Sequence, residues 1–330
     1  NNFKLNGTIL HCETFFLKKI DSYVTTSMDE KLRGKHIYSL EKKFSEFFKW
    51  IAMLSHLTSK ELYQEKAVQL LHASNQLFEL RVQRWTSAEG SVIETTIPVP
   101  AYLPRFDDEL YNLRLEVSNE DSLKMQWNNW IEMVCYAISI RSEQALKRLL
   151  DYSEEQAWRA EKAYKGRDFH EQHPMFLVRY LKAMLMGSPH CDLLYQQLVE
   201  VYAPKLYAGW MTLLEPFYFI QKGDEKGYVD AMYRASMAHK AMLKARDGHV
   251  YSKPQMDFFN PYLLGAAVRA FEVHGWEPIP NNDYLYPWWI LNDFTSPLDL
   301  AFSKKEPAPK KETTVKSRQR YQSSYAKEGK

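Results

Sequence analysis

The sequence predicts an all-α protein, an antiparallel helical bundle or a short irregular helical solenoid of about ten to twelve helices. Three observations lead there. Apolar residues recur at three- and four-residue spacing in one segment after another. Helix start and stop signals bracket those segments. Glycine is scarce, 12 in 330 residues, while Leu, Ala, Glu and Lys abound, which favours helices over a turn-rich β architecture.

Taken in order, Phe16, Leu17 and Ile20 mark a short first helix, and Ile37, Leu40, Phe44, Phe47, Phe48, Ile51 and Leu54 an amphipathic second one. Thr58-Ser59-Lys60-Glu61 is a capping box that launches a long helix through Leu70, Leu77, Phe78 and Val82 to about Trp85. From Thr86 to Asp107 the pattern breaks at Gly90, Pro98, Pro100 and Pro104, an extended excursion with one short strand over Val92–Ile97. Helices resume with Ser118 and Asp121 as caps and Leu123, Trp127, Trp130, Ile131, Val134, Cys135 and Ile138 on one face. Shorter helices follow through Leu146, Leu149 and Leu150, and from Ser153 through Trp158. Further ones run from about Asp168 to a stop at Gly187, from Leu193 to Tyr202, from Met211 to near Gly223, and from Glu225 to Gly248.

The stretch Met256–Leu291 organises the rest. Asn260 reads as a helix cap with Pro261 at the first helical position, and Leu263, Leu264, Ala267, Val268, Ala270 and Phe271 form one apolar face. His274 and Gly275 end the helix. Its buried side is mostly Ala, Leu and Gly, which lets neighbours pack closely. The aromatic block Tyr284-Leu285-Tyr286-Pro287-Trp288-Trp289 then reads as a lid on the core. Phe78, Trp127, Trp130, Leu264 and Phe271 are expected to be buried.

Composition sets the outer bounds. With 45% hydrophobic and 25% charged residues the chain is an ordinary globular protein, and no apolar run approaches the roughly 18 residues of a membrane span. Cys12, Cys135 and Cys191 are odd in number and far apart, so a disulfide framework is not expected. The net charge of +2 is uneven. Residues 303–330 hold nine Lys or Arg against three Glu, a net of +6, which leaves residues 1–302 with 34 basic against 38 acidic, a net of −4. The expected organisation is one helical domain over residues 1–302 and a basic, disordered tail over 303–330. A mildly acidic body does not suit a dedicated nucleic-acid groove.

Candidate chemistry is thin. His170-Glu171-Gln172-His173 places its histidines three apart rather than the four that one helical face requires for zinc, and Pro174 follows. Phe106-Asp107-Asp108-Glu109 and Asn292-Asp293 with Ser296 look like the two metal motifs of a class I terpene synthase. Both are incomplete: Tyr111 stands where a carboxylate is needed, and Pro297 interrupts the second. Asp107-Asp108 is more simply a helix N-terminus. No metal or organic cofactor is expected.

Three blocks carry a resemblance to a known family. The first is His72-Ala73-Ser74-Asn75-Gln76-Leu77-Phe78 followed by Gly90-Ser91-Val92. The second is Ile220-Gln221-Lys222-Gly223-Asp224 leading to Ala238-His239-Lys240. The third is His274-Gly275-Trp276 running into Asn282-Asp283-Tyr284-Leu285. Together they resemble the immunity protein 49 family of bacterial polymorphic-toxin systems, with departures at Asn282, where the family has Ser, and at Tyr286 before the proline. The resemblance implies a cytoplasmic antidote, without chemistry of its own, that binds one cognate toxin domain one-to-one. On that reading Asp283, Tyr284 and Tyr286 are the partner-binding candidates, the two tyrosines as exposed anchors, and the net of −4 suggests an acidic patch facing a basic toxin. A helical scaffold gathering several partners is the alternative, and a terpene-synthase-like enzyme a distant third.

Overall fold

A computed structural model describes residues 61–98, 110–118, 121, 125–156, 173–202, 212–246, 259–279 and 282–291. They form α1 (Glu61–Thr86), β1 (Val92–Pro98), β2 (Leu110–Glu116), α2 (Trp127–Ser139), α3 (Glu143–Asp151), α4 (His173–Met186) and α5 (Cys191–Gln197), which runs into a π-helical segment (Leu198–Tyr202). Then come α6 (Pro216–Lys222), α7 (Glu225–Arg246), α8 (Pro261–His274) and α9 (Pro287–Leu291). The protein is mostly helical, with one small sheet. The helices expected before residue 58, the first turns of the Asp168 helix and the tail from residue 303 lie outside the described residues.

The core is centred on α2 packed against α8. Both helices are buried nearly all round: α2 from Trp127 through Ser139 apart from Asn128, Asn129 and Glu132, and α8 from Pro261 through Val268 and at Ala270. Small residues bring the two backbones together, as the Ala- and Gly-rich face predicts. A Cβ on Gly265 would sit 2.6 Å from the Cys135 carbonyl oxygen, so the approach requires glycine. Ser139 ties the pair, its Oγ 2.8 Å from Cys135 O and 3.2 Å from Pro261 O. Trp130 Nε1 donates to Leu149 O at 2.8 Å, fastening α3, and Trp289 Nε1 donates to Ser139 O at 2.8 Å, fastening α9 over the end of α2. Packing between an early and a late helix makes a bundle rather than a solenoid, where each unit touches only its neighbours.

Helix ends follow their signals. Asn260 Oδ1 accepts from the amides of Tyr262 and Leu263, capping α8, and Gly275 ends it at φ 71°. Asp121, one of the two caps that the sequence predicts, accepts from the Ser118 amide and hydroxyl, and Arg84 pairs with the same buried carboxylate at 2.9 Å. Met125 and Gln126 are not helical, so α2 starts at Trp127; Leu123 lies outside the described residues. Ser153 and Gln156 form a capping box at the start of the next helix.

Two expectations are corrected. The strand of the excursion is not alone but has a partner beyond Asp107: β1 pairs antiparallel with β2, Val92 opposite Glu116 through Pro98 opposite Leu110. A single strand has no partner for its backbone groups, and the alternation Tyr111, Leu113, Leu115, Val117 supplies the second one. Leu110 therefore opens a strand, and Asp107 and Asp108 lie outside the described residues. Phe78, Trp127, Trp130 and Leu264 are buried, but Phe271 is only half-buried, because it lies on the flank of α8 that borders a groove.

Candidate functional site

The organising stretch gathers polar groups as well as apolar ones. Because Asn260 Oδ1 is committed to two amides, its Nδ2 is the donor toward His239 Nδ1, 2.9 Å away. That fixes Nδ1 as an acceptor and leaves the proton of the neutral ring on Nε2. Tyr284 stands edge-on to the His239 ring at 4.7 Å and is half-buried. Asn282 makes the turn the sequence predicts, accepting from the Tyr284 amide at 3.1 Å and donating to Ser236 Oγ at 2.7 Å. Asp283, at the tip, is exposed.

Tyr286 is not an exposed anchor. Its carbonyl accepts from Trp289 and Ile290 to start α9, which turns the ring inward, where it is fully buried beside Phe259 and Trp288. Burial pushes its phenol far above the ordinary range.

The second and third of the blocks that carry the family resemblance meet in space, and a run of rings starts from Phe78 of the first. His274 Nε2 donates to Ile220 O at 2.6 Å, so the end of α8 caps the end of α6, and the ring stacks on Trp276 at 4.3 Å. Gly223, at φ 68°, begins the α6–α7 turn beside it. Phe78, Tyr136, Phe259 and Tyr286 form a chain of rings 4.9, 6.0 and 6.3 Å apart from α1 to the start of α9. These residues act in packing and helix termination.

Two surfaces stand out. One is an open groove of about 720 Å³ between α1, the α2–α3 turn, α8 and α9. Its floor is Arg141, which has φ 56° and uses its whole guanidinium: Nη1 to Trp289 O at 3.2 Å, Nη2 to Ile290 O at 2.7 Å, and Nε to Glu272 at 2.9 Å. Burial raises the Glu272 carboxyl above its usual range, although Arg141 and Arg269 pull the other way. Ser142 caps α3 and donates to Glu79 across the groove.

The other surface spans α5, α6 and α7. Tyr195 and Tyr218 stack at 3.8 Å, nearly parallel. Tyr195 donates to Glu215 at 3.1 Å, and Arg234 grips the same carboxylate with two nitrogens, at 3.1 and 2.7 Å. Tyr218 donates to Asp192, which also pairs with Lys222 at 2.6 Å. Beside them Val229, Tyr233 and Met237 project at four-residue spacing from the outer face of α7, Tyr233 67% exposed. Sequence periodicity shows the stripe; only the fold shows that nothing on the described chain covers it.

Of the chemical candidates, His170, Asp107, Asp108, Asn292, Asp293 and Ser296 lie outside the described residues, and His173 is the first residue of α4. Cys135 and Cys191 are free and buried, and burial raises both thiols. Among the described residues no three His, Cys, Asp or Glu side chains gather as metal ligands, and no helix is long and apolar enough to cross a membrane.

The described residues thus form a mostly helical body that presents a charged groove and an aromatic face. The chain belongs to the immunity protein 49 family, whose model matches residues 61–289. No curated protein and no solved structure matches the chain.

Proposed function

We propose that this protein is the antidote of a toxin–immunity pair: it binds one cognate bacterial toxin domain, one-to-one, in the cytoplasm, and blocks it by occlusion without performing chemistry. Membership of the immunity protein 49 family over residues 61–289 carries the reading. The exposed face supports it, since interface hot spots are enriched in Tyr and Arg held in fixed positions. Asp283 and Tyr284 are the proposed contacts from the organising stretch; Tyr286 serves as the buried support behind them. Protection against toxin that arrives in small doses depends most on slow dissociation. The test is rescue: cells expressing the toxin encoded beside this gene should survive when this protein is co-expressed, and the purified pair should elute as a one-to-one complex. Death of the co-expressing cells, with no complex formed, overturns the proposal.

A further inference from the structure

The groove is chemically unfinished. Of its five charged side chains, three are satisfied internally: Arg141 by two carbonyls and Glu272, Glu272 by Arg141, and Glu79 by the Ser142 hydroxyl. Arg269 on α8 and Glu143 on α3 remain, and among the described residues neither makes a hydrogen bond or an ion pair. Arg269 is half-buried, so part of its hydration is already lost, and it feels the Glu272 carboxylate, which Arg141 holds, without bonding to it. Asn75 Oδ1, on the α1 wall, is buried with no hydrogen-bond partner among the described residues, an acceptor waiting for a donor. Between these groups the walls are apolar: Ile138, Leu146, Phe271 and the exposed Leu291.

We infer that the groove is the anchoring site for an extended segment of the toxin, one that brings a carboxylate to Arg269 and a basic side chain to Glu143; this rests on the proposed toxin-binding function. Charge complementarity selects that occupant. A purely cationic ligand would leave Arg269 opposed, and a purely anionic one would face Glu79 and Glu143. A peptide backbone also offers the N–H that Asn75 lacks. The volume of about 720 Å³ is within the range of built ligand pockets, and its floor is pre-set, because Arg141 is held by three bonds before anything binds. Leu291 lies eight positions after Asp283, at most about 28 Å of chain, a span that one interface of ordinary size can reach across.

The test measures binding of the neighbouring toxin to the full chain and to Arg269→Glu and Glu143→Lys. Each substitution is expected to weaken binding about 30-fold or more by speeding dissociation. Melting temperatures should stay close to that of the unsubstituted protein, because neither side chain loses a hydrogen bond or an ion pair, and Arg269 gives up only an attraction to Glu272, whose carboxylate Arg141 already holds. That pairing of a large binding effect with unchanged stability separates an anchoring role from a structural one. If the unsubstituted protein binds and both variants bind within threefold of it, the groove assignment falls and the antidote reading stands. If the unsubstituted protein neither binds nor protects, both fall together. A free protein that is dimeric, and that Arg269→Glu makes monomeric, would show the groove to hold a second copy, which overturns the assignment.

Discussion

Arg141 occupies a place for which this chain elsewhere uses glycine. At the ends of α4 and α6, Gly187 and Gly223 adopt φ 68°, and the next amide reaches back to close the turn, Ser188 to Ala183 O and Asp224 to Phe219 O. At the end of α2 the same bonds form, Arg141 N to Ile138 O and Ser142 N to Ala137 O, with an arginine at φ 56°. The left-handed conformation costs a non-glycine residue about 1–2 kcal/mol, and the guanidinium bonds to α8 and α9 offset it. The order of two variants follows. Arg141→Ala keeps the strain and loses the bonds, whereas Arg141→Gly loses only the bonds, so the alanine variant should be the less stable by about 1 kcal/mol in urea unfolding. Equal stabilities would mean that the turn is not strained. Gly265 is the opposite case. Its crowded neighbour is backbone, which cannot rotate away, and Gly265→Ala should cost about 1–3 kcal/mol by the same measurement. The sequence reveals this second role through the small-residue face of α8, but not the first, because nothing adjacent to Arg141 announces its partners more than 130 residues away.

Elements with local signals were legible, and those defined by distant partners were not. Asn260, Pro261 and Gly275 mark α8 because caps are written within three or four residues of the end they serve. β2 was missed although its alternation is present, because a hairpin needs both strands read together. The groove was illegible: Glu79, Glu143 and Arg269 each read as ordinary charges on three separate helices, and only the packing of α1, α3 and α8 brings them to one cavity. Tyr286 misled because an aromatic next to a proline looks like part of a rim, whereas the start of α9 turns it inward. The α5–α6 pair makes a pH prediction. Burial, then the Glu215 carboxylate, push the Tyr195 phenol up to about 12. The folded state then keeps a proton that the unfolded chain loses near pH 10, so this contribution to stability is complete below pH 10 and is lost as pH rises through about 12. The melting temperature should fall across that window, and Tyr195→Phe should flatten part of the fall; an unchanged alkaline limb would refute the coupling.

At the scale of the molecule, the charge of the body and that of the tail oppose each other. Residues 1–302 carry a net of −4 and residues 303–330 a net of +6. The core described here closes by Leu291, with Trp289 and Ile290 fully buried, so a chain ending at Phe302 should keep its melting temperature; a drop of many degrees would mean that the tail packs. Association carries the stronger test. If the toxin is basic, as the acidic body suggests, the body attracts it and the tail repels it, and the two fields nearly cancel at long range in the full chain. Removing residues 303–330 changes the net charge from +2 to −4. The shortened protein should therefore associate faster at low salt than the full chain, and its rate should fall several-fold as ionic strength passes 0.1 M, where the Debye length is about 10 Å. Dissociation should change little in either protein, because it is governed by contacts already desolvated in the complex. A rate indifferent to salt in both proteins would sink the acidic-patch idea while leaving the one-to-one complex intact. A rate that slows when the tail is removed would instead show the tail to be the attracting element and the toxin to be acidic.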